Sequence, residues 1–444
     1  MPSVALVTLG CPKNQVDSQS MAALLEESGY LLTDDPATAD VVIVNTCGFI
    51  APAREESLAE LKRLAAGKRP GQLLIAAGCL AELDPAMLQA RVRRLDAVLG
   101  TRRWHDVADL LQALAERQVE RPVWTGDSAR PAPSLDRRPP GVTAYVKIAD
   151  GCNAPCAFCS IPRIKGPFRS RPREAIIAEV QRLAASGYKE VILVAQDSTA
   201  YGRDLGEPDG LPELLRAIAT AAPALPWLRL MYTYPQHISE RLLEAMAGTP
   251  MVCHYLDLPL QHAHPDVLRR MRRPSDPEAL LRLLERVRAT MPDVALRTAF
   301  IVGFPGETEA EFETLLGFVQ DVRFDHVGVF TYSREPGTPA YEMEPQVPEA
   351  VKEQRRSRLL ELQQRLSLQK NQALVGQRLQ VLVEGSGDGI SVGRTYRDAP
   401  EVDGLAILRA ESPVGSLIPG RVVQGMEYDL LLDPLAKGPD TRPR

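Results

Sequence analysis

The sequence of 444 residues lacks the features of a membrane protein or of a strongly charged polymer. No apolar run approaches the roughly 18 residues that span a bilayer, and no basic segment followed by an apolar one opens the chain. The 52 basic and 57 acidic residues give a net charge of −5, which exerts no strong pull on nucleic acid. We therefore expect a cytoplasmic protein with no membrane partner, for which nucleic-acid contact is possible but not required.

Cysteine is scarce, with seven residues in the chain, yet six of the seven fall into two sets of three. The reducing cytoplasm favours metal ligands over disulfides for clustered cysteines. The tight set is a C-x3-C-x2-C run formed by Cys152, Cys156 and Cys159. A four-iron cube held by only three thiolates keeps one iron open for a substrate or cofactor. The alternative is structural zinc, which normally has four protein ligands, and no nearby histidine completes this set. The seventh cysteine, Cys253, is expected in the core.

The dispersed set lies in residues 1–118, where short apolar runs alternate with helical patterns. Runs at 4–9, 41–45, 73–77 and 97–99 predict a doubly wound parallel sheet. The three remaining cysteines directly follow the first three of these runs; they are Cys11, Cys47 and Cys79. Because the carboxyl ends of parallel strands form a ligand crevice, these thiols should converge. The alternative is that they are buried cysteines acting as small hydrophobes.

The rest of the chain predicts a linker and two further domains. Residues 119–140 are rich in proline and arginine and predict a linker whose arginines are solvated. Residues 141–372 predict an open (β/α)6 barrel followed by a connecting helix at 348–370. Residues 373–437 predict a small antiparallel β-barrel or sandwich. The six barrel runs are 144–149, 191–195, 228–232, 256–260, 295–302 and 326–332.

Polar and glycine residues follow several of the predicted barrel strands, where a barrel has its active site. They are Gln196, Asp197, Tyr234, Gln261, His262 and the Gly-Phe-Pro-Gly-Glu turn at 303–307. Convergent polar groups in an apolar wall indicate a small-molecule site. Two simpler interpretations stay open: a Pro-Gly pair is a common turn signal, and His262 can be a loop histidine that hydrogen-bonds backbone.

The two cysteine sets suggest a chemistry. A cube with an open iron can chelate the amino and carboxylate groups of S-adenosylmethionine and pass one electron into its sulfonium. The resulting deoxyadenosyl radical can break an unactivated C–H bond. A second open-iron cluster could deliver sulfide or methylated sulfide to the substrate radical. The arrangement therefore suits sulfur insertion at carbon.

The cysteine loop resembles the radical S-adenosylmethionine (radical SAM) superfamily, and the whole chain is similar to the methylthiotransferase family, whose small terminal β-domain is called TRAM. Within that family, the greatest likeness is to the branch that modifies an aspartate of small-subunit ribosomal protein S12. The motifs behind this likeness are Gly10-Cys11-Pro12-Lys13-Asn14, Asn45-Thr46-Cys47-Gly48-Phe49-Ile50, Asp257-Leu258-Pro259-Leu260-Gln261-His262, Asp325-His326-Val327-Gly328-Val329-Phe330 and Asp398-Ala399-Pro400-Glu401-Val402-Asp403-Gly404. The transfer-RNA branch usually has Gln-Met-Asn after its first cysteine and serine after its second.

The resemblance implies two [4Fe-4S] clusters and S-adenosylmethionine as both radical source and methyl donor. It assigns the tight set, Cys152, Cys156 and Cys159, to the catalytic radical cluster, and the dispersed set, Cys11, Cys47 and Cys79, to an auxiliary cluster. It also assigns to S-adenosylmethionine the residues Phe158, Gln196, Asp197, Gly303, Pro305 and Gly306. The implied reaction replaces one β-hydrogen of an aspartate in S12 with a methylthio group, with an electron donor such as flavodoxin or ferredoxin.

Two other functions compete with this one. The first is the same chemistry on an adenosine of transfer RNA, since TRAM-like domains often bind RNA; the acidic charge balance favours a protein partner. The second is a non-enzymatic electron carrier or cluster scaffold, whose clusters would never cleave S-adenosylmethionine. Carriers usually ligate the cube fully, which argues against that function here.

Overall fold

The structure is a computed structural model that describes residues 1–116, 120–130, 132–133 and 135–435. The predicted domain limits at 118, 119 and 437 lie outside the described residues. No helix in the described part of the chain is long and apolar enough to cross a bilayer. Three successive units correspond to the predicted fold class, which is confirmed apart from one detail of the last unit.

The first unit is a parallel sheet of six strands in the order β2-β1-β3-β4-β5-β6, covered by helices on both faces. Its central strand β3, with the sequence VVIVNT, is buried along its whole length, as expected for a strand covered on both faces. The elements are β1 (Ser3–Thr8), α1 (Pro12–Glu27), β2 (Leu31–Leu32), β3 (Val41–Thr46), α2 (Ala51–Gly67), β4 (Leu73–Gly78), α3 (Cys79–Leu83), α4 (Pro85–Arg91), β5 (Ala97–Gly100), α5 (Val107–Ala115) and β6 (Val123–Trp124).

The segment predicted as a linker contributes more structure than the sequence indicated. Strand β6 pairs with β5 and so extends the first sheet. The prediction that the linker arginines are solvated is wrong for Arg137, which is buried. Its Nε donates to Glu179 Oε1 at 3.0 Å, and its Nη2 donates to the carbonyl of Tyr145 at 2.8 Å. Arg137 is buried because it pairs with the carboxylate of Glu179, which is distant in sequence. A local charge pattern cannot predict such a pair.

The second unit contains six parallel strands in two groups of three, β11-β10-β7 and β12-β13-β14. A bridge between Leu228 and Val252 connects the groups, so the predicted open six-stranded barrel is confirmed. A short ribbon of β8 and β9 was not predicted. The elements are β7 (Thr143–Lys147), β8 (Ala149–Asp150), α6 (Ile161–Lys165), β9 (Arg169–Ser170), α7 (Arg173–Ala185), β10 (Glu190–Val194), α8 (Gly210–Ala221), β11 (Trp227–Leu230), α9 (Glu240–Gly248), β12 (Tyr255–Asp257), α10 (Pro265–Arg270), α11 (Pro277–Thr290), β13 (Ala295–Val302), α12 (Glu309–Val322), β14 (His326–Thr331) and α13 (Glu349–Ala373).

Local sequence explains how the barrel helices begin and pack. Helix α12 starts with a capping box, in which the Thr308 hydroxyl accepts the Glu311 N–H and the Glu311 carboxylate accepts the Thr308 N–H. The inward faces of the helices and the outward faces of the strands form one large apolar core. Cys253 is only 3% exposed, as predicted for a core cysteine.

The third unit is a closed five-stranded barrel with the strand order β15-β16-β17-β19-β18. Its strands are β15 (Arg378–Gly387), β16 (Ile390–Arg394), β17 (Ala406–Leu408), β18 (Leu417–Gly425) and β19 (Leu430–Pro434). The prediction of a purely antiparallel barrel is wrong in one place, because β17 and β19 pair in parallel. The chain reverses direction twice between these two strands, so they run the same way.

The third unit docks onto the inner side of the open barrel through buried charges. Arg394 Nη2 donates to Glu190 Oε2 at 2.6 Å. Asp403 accepts hydrogen bonds from the Tyr255 hydroxyl at 2.6 Å and from Arg297 Nε at 3.2 Å. Each buried charge has a partner of the opposite sign, as burial of ions requires. The first unit contacts the same side of the barrel, because Val16 packs in one cluster with Tyr145 and Ile192. Lys147 Nζ also donates to Asp17 Oδ1 at 2.6 Å, so the two cysteine sets belong to adjoining domains.

Candidate metal centres and cofactor site

The tight cysteine set occupies one loop between β8 and α6. Its three cysteines are free and half-buried. The N–H of Ala154 donates to Cys152 Sγ at 3.4 Å, and the N–H of Ile161 donates to Cys159 Sγ at 3.4 Å. Such donors stabilise the negative sulfur of a thiolate or of a cluster ligand. The loop is therefore prepared to present anionic sulfur.

Burial makes two of these sulfurs, those of Cys152 and Cys159, poor thiolates unless a metal binds. It raises the pKa of Cys159 to about 12 and also raises the pKa of Cys152, to which the negative charge of Asp197 adds. Metal binding must therefore displace protons from this site. An arginine offsets part of the negative charge, because Arg273 Nη1 lies 3.7 Å from Cys156 Sγ.

The number of thiols distinguishes a cluster from zinc. Structural zinc normally has four protein ligands. An iron-sulfur cube held by three thiolates keeps one iron open. The three thiols of this loop therefore fit a cube with one open iron.

The dispersed set lies at three neighbouring strand ends of the first sheet. Cys11 precedes α1, Cys47 follows β3, and Cys79 begins α3 directly after β4. Two glycines allow the three turns to touch. A Cβ added to Gly10 would lie 3.2 Å from Cys47 Sγ, and one added to Gly48 would lie 2.9 Å from Leu80 Cα. The structure therefore brings these three turns together, as the strand pattern predicted.

Asn14 connects the three turns by hydrogen bonds. Its Nδ2 donates to the carbonyl of Leu9 at 2.9 Å and to that of Thr46 at 3.1 Å, while its Oδ1 accepts from the Cys79 thiol at 3.5 Å. Burial raises the pKa of Cys79 to about 12 and also raises the pKa of Cys47. Metal binding must therefore displace protons from these two thiols as well.

The glycine turn at 303–307 lies against the tight cysteine loop. Phe304 packs with Ala157 in one buried cluster, against which Phe158 lies partly buried. Both Gly303 and Gly306 have φ of +73°, a conformation that favours glycine. Pro305 lies between the two glycines in the sequence. Of the six residues assigned to S-adenosylmethionine, Phe158 is therefore in the cysteine loop, and Gly303, Pro305 and Gly306 belong to the turn whose Phe304 packs against that loop.

Charged side chains hold the glycine turn at 303–307 in its conformation. Glu307 Oε2 accepts the N–H groups of Gly303 at 2.9 Å and Phe304 at 3.2 Å. Arg355 of α13 donates to Glu307 Oε1 at 2.9 Å. A Cβ on Gly303 would lie 2.2 Å from Lys352 Cγ, so helix α13 leaves no space for a side chain there.

The two polar residues after β10 differ in whether their side-chain oxygens are free to bind a ligand. Gln196 Oε1 is buried and has no hydrogen-bond partner among the described residues, and a buried acceptor without a partner indicates a ligand or water. Asp197 is occupied, because it accepts from the Thr199 hydroxyl at 2.6 Å and pairs with His237 Nδ1 at 2.8 Å. Gln196 can therefore contact a cofactor directly, whereas Asp197 is suited to position the loop.

The sequence analysis missed Arg273 in this region and left two interpretations of His262 open. Arg273 stacks 4.2 Å from the ring centre of Tyr234 and reaches Cys156, but its place in an arginine-rich stretch gave no signal. His262 behaves as a loop histidine, since its Nδ1 accepts the N–H of His264 at 3.0 Å. Burial lowers the pKa of His262 to about 3, so its ring is neutral, and its Nε2 lies 3.7 Å from Glu307 Oε2.

Comparison with known families agrees with this division of the chain. Residues 3–100 match Uncharacterized protein family UPF0004, residues 146–319 match the Radical SAM superfamily, and residues 375–433 match the TRAM domain. Fold and site together define a radical SAM methylthiotransferase with a second three-cysteine site in its amino-terminal domain.

Close relatives specify the family. The chain is 50% identical to ribosomal protein uS12 methylthiotransferase RimO of Chloroflexus aurantiacus, with 96% of this chain and 98% of that protein covered. It is 45% identical to RimO of Syntrophus aciditrophicus, with 97% and 98% covered. The chain belongs to the RimO family of ribosomal protein uS12 methylthiotransferases.

Solved structures share the fold at low sequence identity. The radical S-adenosylmethionine methyltransferase TsrM from Kitasatospora setae, with cobalamin and a [4Fe-4S] cluster bound, superposes with a TM-score of 0.58 at 15% identity. The match covers 88% of this chain and 77% of TsrM. This likeness concerns the fold alone.

Proposed function

We propose that this protein replaces one β-hydrogen of an aspartate in ribosomal protein uS12 with a methylthio group, giving 3-methylthioaspartate. The observation that carries the proposal is the pair of three-cysteine sites at strand ends of two adjoining domains, in a chain half identical to a RimO protein. One site is suited to radical generation and the other to sulfur supply. We further propose domain limits of 1–118, 119–140, 141–372 and 373–437, and the cytoplasm as the compartment of a ribosomal substrate.

In this proposal Cys152, Cys156 and Cys159 hold the radical [4Fe-4S] cluster. When bound, that cluster supplies the electron that cleaves S-adenosylmethionine into a hydrogen-abstracting radical. Arg273 places a positive charge against Cys156 and orients its guanidinium on the Tyr234 ring. It therefore offsets part of the negative charge that a cluster ligand carries. We expect a flavodoxin or ferredoxin to provide the electron.

The chain's own groups bind S-adenosylmethionine in the same proposal. Gln196 offers a free amide oxygen, and Phe158 and Pro305 provide apolar surface beside the loop. The backbone of Gly306 can approach the cofactor closely because this residue has no side chain, whereas the missing side chain of Gly303 leaves room for Lys352 of α13. Glu307 and Arg355 fix the shape of the turn, and Asp197 fixes His237.

The auxiliary [4Fe-4S] cluster is assigned to Cys11, Cys47 and Cys79. Asn14 holds the three turns in register by its hydrogen bonds to Leu9 and Thr46. Since each set supplies three thiolates and no fourth ligand, each cube would keep an exchangeable iron position.

The test is a mass measurement on two candidate substrates. The anaerobically reconstituted protein is incubated with S-adenosylmethionine, a reductant and either uS12 or transfer RNA. A gain of about 46 daltons is what exchange of hydrogen for methylthio requires. We expect it on uS12, localised to one aspartate. A gain on transfer RNA alone would assign the chain to the transfer-RNA methylthiotransferases. Intact S-adenosylmethionine in all samples would indicate a non-enzymatic electron carrier.

A further inference from the structure

One short segment of the second unit contacts the surroundings of both cysteine sites. This bridging segment, residues 333–340, follows β14. The side chains of Glu335, Thr338 and Ala340 are buried, although the segment lies outside the barrel strands. Its first part reaches the amino-terminal domain, and its last residue reaches the tight cysteine loop.

Glu335 caps helix α2 of the amino-terminal domain. Its Oε1 accepts the N–H of Ala51, the first residue of α2, at 2.8 Å, and its Oε2 accepts from Arg54 Nη1. The residue before the helix, Ile50, provides no side-chain cap. A carboxylate at a helix amino terminus is favoured by the free N–H groups and by the helix dipole. Glu335, which is only 2% exposed, therefore fixes the start of α2 against the barrel.

Helix α2 in turn holds the backbone of Cys47. The hydroxyl of Ser57, a fully buried residue of α2, accepts the Cys47 N–H at 3.0 Å and donates to the Cys47 carbonyl at 3.0 Å. Residues 48–50 alone separate Cys47 from the start of the helix. A displacement of the start of α2 should therefore also move Cys47.

The other end of the bridging segment holds the tight cysteine loop. The N–H of Ala340 donates to the carbonyl of Ala157, a residue of that loop, at 2.8 Å, and the two side chains share one buried cluster. The carbonyl of Pro336 accepts from Arg163 Nη1 at 2.6 Å, and Arg163 belongs to α6, which follows the loop. Between these ends, the carbonyl of Glu335 accepts the N–H of Thr338 at 3.2 Å and its hydroxyl at 2.8 Å, which closes a tight turn.

We propose that Glu335 is a positioning residue that sets, through the bridging segment, the distance and orientation between the two cysteine sites. The inference rests on the proposed function, in which a carbon activated at one site receives sulfur from the other. Reaction between held groups depends steeply on position, and a misplacement of about 1 Å can cost about a hundredfold in rate. Cleavage of S-adenosylmethionine needs the tight site alone, so it should be less sensitive. Loss of the Glu335 contacts should therefore uncouple cleavage from transfer.

The first test measures a product ratio. The cluster-reconstituted protein is supplied with S-adenosylmethionine, a reductant and full-length uS12, and the 5′-deoxyadenosine formed per methylthio group transferred is determined. Glu335→Ala removes both contacts with α2 and should raise this ratio about tenfold to a hundredfold. Glu335→Gln keeps an acceptor for the Ala51 N–H but loses the ion pair with Arg54, so it should raise the ratio less. The matched control is Asp127→Asn, which removes an exposed ion pair between the segment after β6 and Arg169 of β9 and should keep the wild-type ratio.

The second test needs no substrate protein. Electron paramagnetic resonance of the reduced protein reports the magnetic interaction between the two clusters, which falls steeply with their distance. This interaction should change in Glu335→Ala and stay as in the wild type in Asp127→Asn, with the iron content of both variants at the wild-type value. If Glu335→Ala does not fold, Glu335→Gln serves for both tests.

The outcomes separate positioning from general support of the fold. A parallel loss of cleavage and transfer at an unchanged product ratio would overturn the inference, because it would mark Glu335 as a residue that only stabilises the protein. An unchanged magnetic interaction would overturn it as well. Wild-type protein that cleaves S-adenosylmethionine without modifying uS12 would instead contradict the proposed function, and the magnetic measurement would still test the role of Glu335.

Discussion

The two cysteine sites contain the same number of thiols but are built in different ways. The tight set lies within one loop of eight residues, Cys152 to Cys159, and is shaped by backbone N–H groups of that loop. The dispersed set joins three strand ends and depends on the close approach of Gly10 and Gly48 to neighbouring turns. The first site is a property of local sequence, and the second is a property of sheet topology. The two sites should therefore fail independently.

The largest expected effect separates the sites by their chemistry. Cys156→Ala should abolish cleavage of S-adenosylmethionine, because the radical site would lose a ligand. Cys47→Ala should leave that cleavage intact and lose methylthio transfer, because only the auxiliary site is damaged. Cleavage is measured as 5′-deoxyadenosine formed per chain under reducing, anaerobic conditions.

Cys253→Ala is the control for these cysteine variants. Cys253 is buried away from both sets, and its replacement should leave cleavage and transfer near wild-type levels. Equal loss of cleavage in Cys156→Ala and Cys47→Ala would show that the two sites do not divide the reaction.

A smaller change should disturb the auxiliary site through its backbone. Gly10 has a φ of +95°, and a Cβ there would lie 2.9 Å from Cys47 Cβ. Gly10→Ala should therefore reduce the iron content to about half, because only one of two cubes is affected. The strained backbone should also lower the free energy of unfolding by about 1–3 kcal/mol. Iron is measured after reconstitution, and unfolding by urea titration.

Gly29→Ala is matched to this variant. Gly29 has a similar φ of +87°, but an added Cβ meets no atom within 4 Å. It should lose stability in the same way and keep its full iron content. Loss of iron in Gly29→Ala as well would attribute the effect to general destabilisation and not to the contact with Cys47.

A third prediction concerns the glycine turn beside the radical site. Gly303 and Gly306 share a φ of +73°, but an added Cβ would lie 2.2 Å from Lys352 Cγ at Gly303 and no closer than 3.9 Å to any atom at Gly306. Gly303→Ala should therefore weaken S-adenosylmethionine binding about tenfold more than Gly306→Ala does. Equilibrium dialysis with the cofactor measures both. Equal weakening would mean that backbone strain, and not the contact with α13, is responsible.

The smallest expected effect is a pH dependence on the radical side of the molecule. The pKa of His262 is about 3 in the folded protein and 6.5 when unperturbed, so the unfolded chain gains a proton that the folded chain refuses. Stability should therefore fall as pH drops below about 6.5, by about 1 kcal/mol between pH 7 and 5.5. Urea titrations at both values measure it. His262→Asn should lose this part of the pH dependence; an unchanged difference would assign it to other groups.

The contrast between local sequence and the packing of distant elements also explains which features could be predicted from the sequence. The tight set, the strand runs and the strand-end position of the dispersed cysteines follow from spacing and apolar periodicity, which are local. The contacts of Arg273 with Cys156, Lys13 with Tyr232 and Arg137 with Glu179 join residues far apart in the chain. No local pattern specifies such pairs, because each depends on how separate elements pack. The parallel pairing of β17 with β19 was missed for the same reason.

The most direct test of two independent sites is iron and sulfide analysis of three reconstituted proteins. Wild type should bind about eight irons per chain, because two four-iron cubes are expected. Replacing Cys152, Cys156 and Cys159 together with alanine should leave about four, and so should replacing Cys11, Cys47 and Cys79. Loss of all iron, or of none, in either triple variant would contradict the existence of two separately held clusters.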